Sequence, residues 1–136
     1  MDLELHRREQ DGIAILDLKG RLVVGEAAGK LRETTSQLIA SGHNSIILNL
    51  AGVQYIDSTG LGTMVICFTS AKKSGGMMKL LKMNRRNLEL LVVTKLATVF
   101  EVFEDEQTAV NSFFPNREIK KFDILTFLQS QERAED

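Results

Sequence analysis

The sequence predicts an α/β domain built on a mixed β-sheet. Three observations carry that reading. Short apolar runs alternate along the chain with amphipathic stretches of helical period. The first two runs are separated only by the turn signal Gln10-Asp11-Gly12, which implies an antiparallel hairpin. Each later pair of runs is separated by a stretch long enough for the helical crossover that parallel strands require.

The chain has 136 residues, enough for one domain with its own core. Its formal net charge is −1, and Lys and Arg never form a run longer than two. Nucleic acid and anionic membranes are therefore not expected as main partners. No apolar run approaches a membrane span, and Met1-Asp2-Leu3-Glu4-Leu5 has no signal-peptide pattern. The expectation is a cytoplasmic protein rather than a transporter's tail.

Residues 3–8 alternate at first, with Leu3 and Leu5 apolar, and read as a short edge strand. Residues 13–18 are the second strand of the hairpin. Residues 20–25 read as a loop holding Leu22, Val23 and Val24. Those side chains either plug the core edge or form an apolar patch for a partner. Residues 26–41 place Ala28, Leu31, Thr35, Leu38 and Ile39 on one helical face. Gly29 weakens that helix by about 1 kcal/mol relative to Ala and could permit close packing. Gly42 ends it.

Residues 45–50 are apolar enough for a central strand covered on both faces. Residues 61–71 form a helix with Leu61, Met64, Val65, Phe68 and Ala71 on one face. Ile66 and Cys67 add apolar surface elsewhere, so this helix is either covered on two sides or docks a partner. Cys67, the single cysteine, reads as a buried small hydrophobe. Lys72 and Lys73 suit the helix's negative end.

Residues 77–83 form the next strand, and Asn84 or Asn87 can cap a helix bearing Leu88, Leu91, Val92 and Leu96. Residues 100–103 are a short last strand. Asp105 and Glu106 open a helix striped by Ala109, Val110, Phe113 and Phe114, closed by the only proline, Pro115. The domain boundary falls there, with residues 1–114 as the domain and 115–136 as a C-terminal helical extension. Asp123 can cap the extension's helix, whose Ile124, Leu125, Phe127 and Leu128 are too apolar for water. They cover the protein's own sheet, form a homodimer or bind a partner helix, with self-packing the first reading. Residues 131–136 are expected to fray.

The chain is organised around Tyr55-Ile56-Asp57-Ser58-Thr59-Gly60-Leu61-Gly62, where a strand hands over to a helix. A helix start leaves N–H groups unpartnered, so Asp57 or Ser58 can serve simply as an N-cap. The same position favours negative charge, so a hydroxyl here is also placed to be modified. Gly60 and Gly62 would let another surface approach the backbone.

Catalysis is not expected. Ile56 stands where a Gly-x-Ser-x-Gly elbow around Ser58 would need glycine. The two histidines, His6 and His43, form no metal motif, and no Gly-rich phosphate loop is present. No metal and no cofactor is expected.

Tyr55 to Gly62 resembles the signature of the STAS domain, the family shared by anti-sigma-factor antagonists and sulphate-transporter tails. Asp57-Ser58-Thr59-Gly60-Leu61-Gly62 matches the family's Asp-Ser-Ser/Thr-Gly-Leu-Gly pattern in full, and the similarity runs over residues 3–114. The resemblance implies a STAS-like fold with helices mainly on one side of the sheet. It also implies that Ser58 is phosphorylated by a partner serine kinase, with Thr59 as the competing acceptor.

In the implied cycle, the unphosphorylated protein binds an anti-sigma factor that is also the kinase, freeing a sigma factor for transcription. Phosphorylation of Ser58 ends binding, and a serine phosphatase restores it. Asp57, Ser58, Thr59, Gly60, Leu61 and Gly62, with Leu22, Val23 and Val24, would form the partner surface. Many family members carry an acidic residue where this chain has Val23, so the partner contact there should differ. The alternative is a constitutive STAS subunit of a stress-signalling or lipid-transport assembly.

Overall fold

A computed structural model describes residues 3–119 and 122–135. The hairpin forms from β1 (Glu4–Gln10) and β2 (Ile13–Leu22), paired antiparallel. Next come α1 (Glu26–Ala40), β3 (Ser45–Ile56), α2 (Ser58–Lys73), β4 (Met77–Leu81) and α3 (Arg85–Val93). The chain ends with β5 (Val102–Phe103), α4 (Glu106–Asn111) and α5 (Ile124–Glu135). The sheet order is β1-β2-β3-β4-β5, parallel from β2 onward. It is the mixed sheet that the hairpin signal and the crossover lengths predict.

Helices gather mainly on one face. Leu31 and Leu38 of α1, Met64 of α2, Leu88 and Leu91 of α3 and Leu128 of α5 share a core with Leu16, Leu48 and Leu80 of the strands. On the other face, α4 covers Ile13, Ile15, Ile47, Leu81 and Phe103 with Ala109 and Val110. Ile46, Ile47 and Leu48 of β3 are fully buried, as a strand covered on both faces requires.

The strands differ in length from the expectation, and pairing explains the difference. β2 does not end at Leu18. It stays paired to β3 as far as Leu22 opposite Ile56, through two register shifts, so residues 20–22 are strand and not loop. β3 likewise runs on to Ile56 because β2 supplies partners for its backbone. β4 stops at Leu81, and β5 shrinks to the two residues that face Leu80 and Leu81. Gly29 is exposed with nothing near it, so it permits no close packing.

α5 packs against α3 and buries Leu128, with Phe122, Ile124 and Phe127 against the same core. The extension thus covers the protein's own apolar surface. Leu125 stays 59% exposed. Asp123 caps α5 through the N–H groups of Leu125 and Thr126, at 3.1 and 3.2 Å. The helix is assigned through Glu135, and Asp136 lies outside the described residues.

An ion-pair network ties the hairpin to α4. Arg8 Nε donates to Asp17 at 2.7 Å, and Arg8 Nη1 to Glu106 at 2.9 Å. Asn49 adds a bond to Asp17 at 2.7 Å. The Arg8 hydrogen bonds hold Glu106 below its ordinary range. For Asp17, burial pushes the carboxyl up, but the bonds from Arg8 and Asn49 outweigh it and the net shift is downward. Both groups therefore stabilise the fold above their unfolded values, near pH 4, and lose that contribution as pH falls through their depressed folded values. Arg8→Met should cost about 1 kcal/mol at pH 7, since the pairs are partly solvated. Urea midpoints measured from pH 6 to pH 3 should fall less steeply for this variant than for wild type.

Candidate functional site

The site lies where β3 hands over to α2. Asp57 is extended (φ −90°, ψ 179°) and caps the helix: its carboxylate accepts from the Gly60 N–H at 2.7 Å. The other carboxylate oxygen accepts from the Val24 N–H at 2.9 Å. The Asp57 N–H in turn donates to the Leu22 carbonyl at 3.2 Å. One aspartate therefore joins the start of α2 to the segment that leaves β2. The N–H groups of Gly60 and Val24 hold its carboxyl below the ordinary range, so it is ionised at neutral pH.

Gly60 has a steric reason to be glycine. A Cβ there would lie 2.1 Å from the Leu22 carbonyl oxygen. The two glycines of the motif are not equivalent, because a Cβ on Gly62 would meet open space. Leu22 itself is fully buried, which corrects the expectation that Leu22, Val23 and Val24 act together. Leu22 plugs the core because its strand continues to that point. Val24, one residue past half-buried Val23, is 66% exposed. Gly60 and Leu61 are buried too, so their part in any contact is to shape the backbone.

Ser58 and Thr59 are exposed on the first turn of α2. The Ser58 hydroxyl makes no hydrogen bond to another described residue. The capping role belongs to Asp57, which leaves that hydroxyl free for chemistry. Cys67 is buried, and burial pushes its thiol up, which suits a packing residue.

Ser58 borders a groove of about 390 Å³ between α2 and α3, lined also by Tyr55, Leu61, Arg86, Leu90 and Val93. Val93 is 80% exposed on its rim. The α3 wall is fixed by two asparagines. Asn84 caps α3 at the Asn87 N–H (2.8 Å), and the Asn84 and Asn87 amides both donate to the Val53 carbonyl, at 3.2 and 3.1 Å. Of the two asparagines offered by the sequence as caps, Asn84 does the capping and Asn87 is the buried anchor.

Sequence reasoning missed the arginines here. Arg21 faces Tyr55 across the β2–β3 register, and its guanidinium lies 5.4 Å from the ring centre. The Arg86 guanidinium lies over the same ring at 4.8 Å. Among the described residues neither has a carboxylate partner, in contrast to neighbouring Arg85, which pairs with Glu89 at 2.9 Å. Three distant positions meet at one ring, and no local pattern in the sequence marks them. Only Tyr55 stood inside the motif.

Four substitutions test this geometry. Asp57→Ala removes a cap and the Val24 tether and should cost about 1–2 kcal/mol, with Asp57→Asn retaining much of it. Gly60→Ala should cost about 3 kcal/mol or more, because backbone must move. Gly62→Ala should cost far less. Urea unfolding of the four variants beside wild type measures the order.

A family model described as STAS domain matches residues 4–109. The anti-sigma-B factor antagonist of Bacillus subtilis is 30% identical over 102 residues, spanning 75% of this chain and 92% of that protein. A solved structure from Thermotoga maritima, described as that of a candidate anti-sigma factor antagonist, superposes with a TM-score of 0.75 at 25% identity, covering 80% of this chain and 93% of its own. An anti-sigma factor antagonist from Mycobacterium paratuberculosis shares the fold, with a TM-score of 0.71 at 15% identity over 82% of this chain and 94% of its own. With the strand order, the capped helix start and the Asp57-to-Gly62 motif in place, this chain belongs to the STAS domain family.

Proposed function

We propose that this protein is an anti-sigma-factor antagonist whose binding is switched off by phosphorylation of Ser58. The observation that carries the reading is the Ser58 hydroxyl: exposed, without a hydrogen bond, and on the rim of a groove at the start of α2. The relatives named above, as anti-sigma factor antagonists, support the partner class, an anti-sigma factor; on this reading that factor is also the serine kinase and the setting is the cytoplasm. The protein itself acts as substrate and ligand rather than as enzyme. The kinase would transfer the γ-phosphoryl group of ATP to Ser58 Oγ, releasing ADP and the hydroxyl proton. A serine phosphatase would hydrolyse the ester. Thr59 is the secondary acceptor.

The switch follows from charge. Phosphate adds about −1.5 to −2 charges at a surface where Asp57 is already ionised. The Asp57 carboxylate occupies the Gly60 and Val24 N–H groups, so these cannot neutralise the newcomer. A partner that covers the groove would have to bury the dianion, which costs several kcal/mol. Exposed Val24 and Val93 supply apolar contact beside Ser58. Arg21 and Arg86 make no ion pair among the described residues, and Arg21 acts on Asp57 only through space, so the docking surface opposite should carry acidic groups.

The reading as a constitutive subunit drew on the extension as a spare interface. That support weakens because α5 lies on α3 and buries Leu128. Homodimerisation through α5 is left with Leu125 as its exposed large apolar side chain.

Incubation of the protein with ATP and lysate of its own organism, followed by mass spectrometry, should place phosphate on Ser58 and lose it in Ser58→Ala. Absence of phosphate while a stable partner stays bound would favour the constitutive reading. Against the purified partner, Ser58→Ala should bind as wild type. Ser58→Asp should bind at least about tenfold more weakly, and Arg86→Glu about tenfold more weakly. Equal binding by Ser58→Asp would remove the charge mechanism.

A further inference from the structure

Another cleft lies at the β5 edge of the sheet. β5 pairs with only Leu80 and Leu81, so residues 77–79 of β4 have no neighbouring strand on that side among the described residues. A cleft of about 460 Å³ lies there, a size ordinary for small-molecule sites. Its walls include Phe100 and Phe103 from the β5 region and Phe122 and Ile124 from the extension. Lys79 and both of its polar partners, Ser112 and Glu101, also line it.

Lys79 is the unusual member, since only 8% of its side chain is exposed. An ammonium ion in that position requires its three N–H groups to be partnered. The Ser112 carbonyl accepts one at 3.0 Å and the Ser112 hydroxyl another at 2.9 Å. The hydroxyl's own proton goes to the Ala109 carbonyl at 2.6 Å, so toward Lys79 it acts as acceptor. The Phe113 ring stands 4.6 Å away. These contacts are fixed by α4 and the turn that follows it. The third polar partner is the Glu101 carboxylate at 3.2 Å, whose side chain is 59% exposed. One direction of a buried cation is therefore served by a carboxylate that solvent can draw away.

We propose that this cleft binds a small organic anion, a carboxylate carried on an aromatic or aliphatic body. Its head group replaces Glu101 on Lys79, and its body lies against Phe100, Phe103, Phe122 and Ile124. A carboxylate in place at 3.2 Å shows that the geometry at Lys79 suits that group. Glu101 acts as the resident competitor. The bound body would join the extension to the β5 region, because both contribute to the lining. The proposal is independent of Ser58 and of any partner there.

The test uses the full chain labelled with ¹⁵N, with 4-phenylbutyrate and its neutral counterpart 4-phenylbutanol as probes. The acid should give saturable NMR shifts concentrated in residues 97–103, 112–119 and 122–124, with affinity at least about tenfold above that of the alcohol. Lys79→Met should erase the preference for the acid. Glu101→Gln should tighten binding of the acid several-fold, as expected when a competitor is removed. Glu101 is exposed, so that variant folds and decides the matter even where Lys79→Met does not. Shifts that fail to saturate by about 10 mM, equal affinity for acid and alcohol, or an unchanged or weaker affinity in Glu101→Gln would each overturn the proposal.

Discussion

The first turn of α2 lies against the backbone at the end of β2, and the rest of the site depends on that contact. A Cβ on residue 60 would lie 2.1 Å from the Leu22 carbonyl oxygen, so only glycine permits the approach. Asp57 then secures it from both sides, one oxygen on α2 and the other on Val24. β2 must run to Leu22 and β3 to Ile56 for the parts to meet, which is why both strands outlast their most apolar stretches. Burial of Leu22 and exposure of Val24 follow from where that strand stops.

The same contact separates two roles that one residue often combines. At many helix starts the serine is the cap. Here Asp57 takes the N–H groups, and Ser58 is left on the surface with a free hydroxyl. The surrounding charge also differs from what the family resemblance suggests. Val23 stands where many STAS domains place an acid, and Arg21 and Arg86 crowd the Tyr55 ring nearby. The surface beside Ser58 thus combines exposed apolar side chains and two guanidinium groups with the Asp57 carboxylate, and with Glu89 held by Arg85 on the α3 wall. That pattern is a physical basis for partner choice, because a docking face with acids opposite the arginines gains where a basic one is repelled.

The sequence made the architecture legible through periodicity. The hairpin came from Gln10-Asp11-Gly12, the central strand from Ile46-Ile47-Leu48, and the helix faces from residues such as Leu31, Leu38, Leu88 and Leu91, all buried. Strand ends were not legible, because pairing at Leu22–Ile56 is decided by the neighbouring strand and not by local composition. The motif from Asp57 to Gly62 was legible, since its residues are contiguous. The groove was not: Tyr55, Leu61, Arg86 and Val93 come from three elements, and only folding brings them together, with Arg21 reaching the Tyr55 ring from a fourth. Lys79 was hidden for a related reason. A lysine inside an apolar strand run carries no sign that Ser112 and Glu101, distant in the chain, will hold its charge.

The walls of the Ser58 groove bear on how a phosphate would act. On one side Asp57 ties α2 to the segment after β2. On the other, Asn84 and Asn87 fasten α3 to the Val53 carbonyl, and α5 packs against α3 with Leu128 in the core. Moving either wall would break hydrogen bonds worth roughly 1 kcal/mol each and expose packed apolar area. The Ser58 hydroxyl is part of neither set of bonds, so a group attached to it disturbs none of them. Shape is therefore an expensive signal at this site, whereas added charge at the rim acts directly on whatever would cover it. On the proposed reading the extension contributes by stiffening α3, which keeps the groove's form constant while its charge changes.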